Sequence, residues 1–567
     1  MFLPNTTHKQ DFLEVWSKLL SPEKLSRLEQ SSGYAFYKLI FCNIAEEDFQ
    51  VLYSSKKSAP NSPVNCLVAA LFLLDQYKWS FDTLMKQIEF NVEIRVALGL
   101  KDLESIPFVR RTLFNFKNRL YNYNESKEEN LLEKVFLKLT ASQIKELGIK
   151  TGIQRGDSVL LNSNIGRYSR LSLLVEVLGR LYNILSPTDQ QLYSAWFIPY
   201  LKGGEKYVYS VKSGEQQIHL ESLAAVYYGI HNVLLTTYSS NPIFQMFERV
   251  YTEHFKAVEP TDDQIPILLR PKEELGSDTL QSPDDLEATF RTKRGTSYQG
   301  FVAFGAETCH PENKIDLVTK LALATNNTDD AVILEDNLEG MVDLTPDLDE
   351  LHLDGGFGSK GVDTKAAPHN ITLVQTAIKG IDPAVPMEIQ GNEQEGFTVN
   401  CPNPEHDVVK AQKAKINFRA DFDLNKCENC PFKDQCPTKG NRKDRKRIAV
   451  FRFKTQDVLR QKRHKAIQKI PKARRTLRAG VENLMGLLHR GEKHTGKLKV
   501  RGRFNFELYL FSMGVVINFE RIFRYQKTEN NIFTPFQMLL LPWRVSCQRT
   551  LDFQVFKLLF LKYVTHI

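Results

Sequence analysis

The run LHLDGGFGSKG, residues 351–361, poses the question on which the fold turns. An apolar-leaning, strand-like stretch climbs to the carboxylate of Asp354. It then gives way at once to two glycines, an aromatic and a third glycine. An Asp at a strand end followed by glycines can offer its oxygens where something needs close backbone approach. That something is a metal ion, a phosphate or only a tight turn, and the surrounding sequence has to decide.

Other segments share the two-residue period of a strand. In residues 152–161, Ile153, Arg155, Asp157 and Val159 alternate with Gln154, Gly156 and Ser158. Residues 288–308 predict two strands joined at 293–295. Residues 315–324 predict a further strand, 331–340 a helix and 348–354 the strand that ends on Asp354. Strand, hairpin, helix and strand in this order predict an α/β (α+β) domain with a mixed sheet flanked by helices.

Helical patterns surround it. Residues 63–77 are almost wholly apolar and predict a buried helix, with Ser80 placed as N-cap of the next. Residues 110–123, RRTLFNFKNRLYNY, predict a basic, aromatic amphipathic helix. The units expected are an N-terminal all-α domain (1–125), whose last helix suits DNA binding and plain helical packing equally, then the first part of the mixed-sheet domain (150–385). That part holds a helical insertion at about 169–257 and a linker at about 258–286. A Cys-rich insertion (386–445), the rest of the mixed-sheet domain (446–530) and an apolar tail (531–567) follow.

At 567 residues the chain is too long for one ordinary domain. No stretch reads as membrane-spanning, because the apolar run at 506–523 carries Glu507 and Glu520 and suits a core helix. The N-terminus lacks the pattern of a signal peptide, and eight cysteines in so long a chain do not predict a disulfide scaffold. The expected setting is therefore cytoplasmic. The net charge of +8 conceals an asymmetry: residues 441–503 hold 22 Lys and Arg against four acids. That surplus of +18 leaves −10 for the rest of the chain. A folded basic block in an acidic chain points to a polyanionic partner such as nucleic acid.

Asp157 and Asp354 both fall at the ends of predicted strands. A third acid, Glu482, lies in KARRTLRAGVENLMGLLHRGE. There Leu477, Val481, Leu484 and Leu488 form an apolar stripe, and Arg475, Arg478, Glu482 and His489 share an adjacent face. The run KLKVRGRF alternates Lys497, Lys499, Arg501 and Arg503 with Leu498, Val500, Gly502 and Phe504, as an extended segment with one basic edge would.

Together these motifs resemble those of the DDE transposases of bacterial insertion sequences, in particular those with an N-terminal helical domain and a cysteine-bearing insertion. GDSVLLNSNIGRYSRL at 156–171 resembles the segment carrying their first Asp, and DGGFGS at 354–359 the segment carrying the second. Arg478 and Glu482 match the Arg and Glu of their Y-x-x-R-x-x-x-E-x-x-x-x-x-x-K motif; Arg475 replaces the Tyr and His489 the Lys, with Arg490 next door. The resemblance implies a ribonuclease-H-like fold and metal-dependent DNA cleavage at element ends, followed by strand transfer of the 3′-hydroxyl into target DNA. It implies Mg²⁺ (or Mn²⁺) held by Asp157 as bridging ligand with Asp354 and Glu482, two ions about 3.5–4 Å apart. The glycines after Asp354 would admit a DNA backbone, and Arg475, Arg478, His489, Arg490, Lys497, Lys499, Arg501 and Arg503 would face phosphates. Double-stranded DNA (terminal inverted repeats and target) is the implied partner, met by a homodimer associated with the nucleoid.

Cys401, Cys427, Cys430 and Cys436 stand as C-x25-C-x2-C-x5-C. Four thiolates suffice for a structural zinc site, with His406 as an alternative ligand. Cys42, Cys66, Cys309 and Cys547 are scattered and read as core. Two other readings compete with the enzyme: a transposase-derived DNA-binding protein that no longer cuts, and a zinc-stabilised RNA-binding or scaffold protein.

Overall fold

The computed structural model describes residues 2–529 except 10–11, 55, 57–58, 202–204, 260–265, 376–384, 415–416 and 442–446. The apolar tail, Cys547, and parts of the predicted linker and basic block thus lie outside the described residues. At the centre runs β1 (Ile153–Asn162), a strand of a six-stranded mixed sheet. β2 (Thr289–Lys293) and β3 (Thr296–Thr308) form a hairpin. Its two-residue turn places Arg294 at φ 51° and Gly295 at φ 78°; two positive φ values give the turn twist that matches antiparallel strands. β3 pairs antiparallel with β1 on one side and with β4 (Val318–Thr325) on the other. β5 (Glu350–Leu353) lies parallel to β1, and β6 (Thr372–Gln375) parallel to β5. The main path is therefore β4-β3-β1-β5-β6, antiparallel on one half and parallel on the other.

Both faces of the sheet are covered, as the unbroken burial of Phe301–Cys309 along β3 and of all four residues of β5 requires. On one face Ile333, Leu334, Leu338 and Met341 of α5 (Asp330–Leu344) pack against Leu351, Leu353 and Phe304. On the other face the N-terminal helices share one core with the sheet and with α8 (Arg503–Glu529). α1 (Val64–Tyr77) is buried along most of its length, and the Ser80 hydroxyl caps α2 (Phe81–Phe90) by accepting from Thr83 N at 3.1 Å. α3 (Arg110–Lys127) and α4 (Leu131–Leu147) complete this layer. α4 falls in the gap between the first two expected units, and no boundary separates the N-terminal core from the sheet.

Two segments have cores of their own. Helices Arg170–Ile184, Gln216–Tyr238 and Pro242–His254 pack around Tyr227, Phe244 and Phe247. Between β6 and α6 (Thr455–Lys469), residues 387–453 form two small antiparallel sheets around Phe397, Phe422 and Phe453. Among the described residues no helix is long and apolar enough to cross a membrane.

Candidate nucleic-acid-processing site

Asp157 sits mid-strand on β1, its side chain 14% exposed. One oxygen accepts from Ser158 N at 2.8 Å, and the other pairs with the Arg478 guanidinium. Burial lifts the Asp157 carboxyl above its ordinary range; Glu482 adds to the shift, while the Ser158 N–H and Arg478 oppose it. Asp354 follows β5 directly, is exposed, and accepts from Gly355 N at 2.7 Å to start a 3-10 turn.

The register relates the two acids. The last recorded β1–β5 pair is Arg155 with His352. Asp157 and Asp354 each stand two residues beyond it, Asp157 within β1 and Asp354 just past the end of β5; the two strands run about 4.8 Å apart where paired.

Glu482 opens α7 (Val481–Leu488). Val481, Leu484 and Leu488 are buried as the stripe predicts, and Glu482 projects outward, 67% exposed, with Arg478 at 3.7 Å. The long helix expected over this segment is broken into a 3-10 turn at Arg474–Gly480, the short α7 and a second 3-10 turn at His489–Gly491. Long-range contacts explain the first break. Arg155 of β1 donates to the Leu477 carbonyl at 3.2 Å, and Arg474 reaches Glu350 of β5 at 2.5 Å. A Cβ at Gly480 would overlap the Arg155 guanidinium. Arg155 is itself held by Glu307 (2.7 Å) and Asp316 (3.0 Å), and Arg521 grips the same Glu307 at 2.7 Å. The turn carrying Arg478 and Glu482 is thus clamped to the two strands that carry the aspartates.

The expected phosphate-facing cations are engaged internally. Arg475 donates to the Ile470 and Gln468 carbonyls at the end of α6. His489 pairs with Glu492, Arg490 with Glu520 and Arg503 with Glu507. Lys497, Lys499 and Arg501 donate to the carbonyls of Ile165, Lys78 and Asn164. KLKVRGRF is extended and bonds to the end of β1 through Leu498 N to Asn162 O and Asn164 N to Val500 O. Lys499, Arg501 and Arg503 nonetheless keep exposed side chains.

The glycines after Asp354 clear room for the protein's own side chains rather than for DNA. A Cβ at Gly358 would overlap Arg463 of α6, and one at Gly361 would overlap Glu335 of α5. A Cβ at Gly356 would meet Asp330 Oδ2 at 3.1 Å. Asp330 is a residue that sequence reasoning missed. At the start of α5 it accepts from the Ser158 hydroxyl at 2.7 Å and so braces the strand position next to Asp157. Its place in the TDDAV run at 328–332, where an acid suits a helix start, was the available signal.

Neither expected metal cluster is assembled: among the described residues no three His, Cys, Asp or Glu side chains are gathered so that they could hold a metal ion. At Asp157 the reason is visible, since a guanidinium bridges Asp157 and Glu482 where a cation would sit. Cys401, Cys427, Cys430 and Cys436 share one end of the small β subdomain, and His406 Nε2 lies 3.3 Å from Cys427 Sγ. Burial pushes the Cys427 thiol up to about 11, with Cys436, Cys401 and Cys430 adding to it. The zinc arrangement expected from their spacing is nevertheless not formed. Of the scattered cysteines, Cys66 and Cys309 are buried as expected, whereas Cys42 is exposed.

Residues 400–523 match the family model of the transposase DDE domain. The matched span contains the four cysteines, Arg478 and Glu482, while Asp157 and Asp354 lie before it. No curated protein and no solved structure matches the chain.

Proposed function

We propose that the protein is an active transposase that cleaves DNA at the ends of its own mobile element and joins the 3′-hydroxyls to target DNA. The observation that carries this reading is the shared register of Asp157, on β1, and Asp354, directly after the neighbouring parallel β5, with Glu482 tied to Asp157 through Arg478. The strand path β4-β3-β1-β5-β6, antiparallel then parallel, with helices on both faces, supports a ribonuclease-H-like catalytic sheet.

The donor set suits a hard divalent cation, because three carboxylates supply oxygen ligands and leave positions for water and phosphate. Asp157, Asp354 and Glu482 would hold Mg²⁺ or Mn²⁺, which when bound supplies Lewis acidity to the attacking and leaving oxygens of an in-line displacement. The chain's own residues prepare that site. Arg478 neutralises Asp157 and Glu482 until DNA arrives, then turns to a phosphate oxygen, for which a guanidinium is a bidentate partner. Arg155 and Arg474 keep the turn bearing Arg478 and Glu482 against β1 and β5. The 3′-hydroxyl or water proton passes to solvent through the exposed side of Glu482. Synapsis of two element ends calls for two copies of the chain.

The test is Mg²⁺-dependent cleavage of a plasmid carrying the DNA that flanks this coding sequence. Cleavage by the wild type and none by Asp354→Asn, with unchanged circular dichroism, supports the enzyme. Binding of the same ends without cleavage by the wild type favours the transposase-derived DNA-binding protein instead.

A further inference from the structure

A cavity of about 700 Å³ opens where the N-terminal helices meet the segment that follows the exit of β1. It falls within the size of cavities that hold small molecules, roughly 300–1,000 Å³. Its walls come from elements far apart in sequence: the α1–α2 corner, α3, Asn164 just past β1, and residues 499–509. Four cations line it, Arg110, Lys117, Lys499 and Arg501, together with Trp79 and Phe81. Two acids are also present. Asp82 pairs with Arg110 at 2.7 Å, and burial pushes Asp75 up to about 7, toward its neutral form.

The aromatic groups form an array rather than a scatter. Tyr77 and Trp79 stack with centroids 4.5 Å apart at 17°, and Phe81 meets Phe114 at 4.5 Å. Trp79 and Phe81, which line the cavity, are partly exposed, and their ring partners Tyr77 and Phe114, outside its lining, are 37% and 39% exposed. Apolar side chains left half-open beside clustered cations need a partner that is flat, apolar on its faces and anionic at its edge. A nucleotide has that chemistry: bases stack on aromatic side chains without sequence preference, and phosphates take the cations.

We propose that this cleft binds an unpaired nucleotide of the DNA strand that runs past the catalytic acids, its base against Trp79 and its phosphate on Lys499 and Arg501. The inference deepens the transposase reading and rests on it. β1 supplies the geometry. From Asp157 to Asn162 the strand advances five residues, about 16 Å at about 3.3 Å per residue, which is about five base steps at about 3.4 Å. A strand held at the carboxylates and following β1 would enter the cleft after that interval. The N-terminal helices would then hold the same DNA that the acids cut.

Trp79 reports directly. Of the other three tryptophans, Trp16 is fully buried, Trp196 lies in the separate helical core and Trp543 lies outside the described residues, so the Trp79→Phe comparison isolates the signal. The full-length protein, without divalent ions, is titrated with a duplex bearing a single-stranded extension of about ten nucleotides, with a blunt duplex, and with a deoxynucleoside monophosphate. The extended duplex should quench fluorescence saturably in the wild type and not in Trp79→Phe, while Trp79→Phe keeps the affinity. Trp79→Leu should lose about tenfold. If Trp79→Leu fails to fold, the exposed pair Lys499→Ala with Arg501→Ala decides: losing the one phosphate they share should flatten the logarithmic salt dependence by about 0.7. Equal quenching by the blunt duplex, quenching by the mononucleotide alone, or an unchanged salt slope would overturn the proposal. Plasmid cleavage is scored in parallel with Asp354→Asn. Intact wild-type cleavage without Trp79 quenching sinks the cleft alone, and absent cleavage with normal quenching sinks the enzyme alone.

Discussion

Asp157 on β1 and Asp354, the residue that follows β5, each lie two residues past the parallel pair Arg155–His352. The sheet thus sets the register of the two acids, and the turn after β5 orders the second. Asp157→Asn and Asp354→Asn should each reduce metal-dependent DNA cleavage at least a hundredfold, since an ion at this position contributes several kcal/mol and about 1.4 kcal/mol is a factor of ten. The melting temperature of Asp354→Asn should stay close to the wild type, because among the described residues Asp354 is exposed and accepts from its neighbour Gly355, whereas Asp157→Asn gives up a buried ion pair with Arg478 and should melt lower. Full cleavage by either folded variant would remove that acid from the site.

Arg478 competes with any cation for Asp157, to which it is ion-paired, and it lies 3.7 Å from Glu482. Arg478→Gln should therefore bind Mn²⁺ about tenfold tighter in the absence of DNA, as measured by calorimetry, while cleaving DNA more slowly for want of a phosphate partner. Weaker Mn²⁺ binding in the variant would mean that Arg478 organises the acids rather than shielding them.

What could be read from residues alone follows a physical line. The alternation about Asp157, the hairpin turn at Arg294–Gly295 and the Ser80 cap are local, and the structure has all three. The break of the Glu482 helix was illegible because its cause, Arg155 bonded to Leu477 O, spans 322 positions. The neighbours of the DGGFGS glycines are illegible in the sequence because Arg463, beside Gly358, and Asp330, beside Gly356, come from other helices. The short strands between 387 and 453 carry too few residues each for a two-residue period to show, so that core was read only by its cysteines. The carboxylate positions were legible, whereas the guanidinium between two of them was not.

Gly480 carries a packing demand that tests the clamp. Alanine there must displace the Arg155 guanidinium, which is held by Glu307 and Asp316. Gly480→Ala should destabilise the protein by about 1–3 kcal/mol, the usual range for overpacking. Arg155→Ala should destabilise by about 3 kcal/mol or more, since the fully buried Glu307 would lose one of its two arginines. Urea unfolding measures both. At temperatures where Gly480→Ala remains folded, cleavage should fall while affinity for DNA is kept, because the variant misplaces Glu482 rather than the DNA-binding surface. A Gly480→Ala protein with wild-type midpoint and rate would show that the clamp does not set the turn.

His254 gives the helical subdomain its pH dependence. The ring is 3% exposed, Arg170 donates to Nδ1 at 3.0 Å, and burial with the adjacent guanidinium brings its pKa down to about 3. The folded state keeps the imidazole neutral, whereas the unfolded chain takes up a proton below its ordinary pKa of about 6.5. Between about pH 6.5 and 3 the unfolded state binds more protons, so stability rises with pH across that window and is lost as pH falls. The full effect at the acid end is on the order of 4 kcal/mol. His254→Gln keeps an acceptor for Arg170 and cannot titrate. In urea titrations followed by tryptophan fluorescence in a Trp79→Phe background and by far-UV circular dichroism, the wild-type midpoint should fall steeply from pH 6.5 to 4.5, and that of His254→Gln should fall much less. Parallel pH profiles for the two proteins would place the acid sensitivity elsewhere.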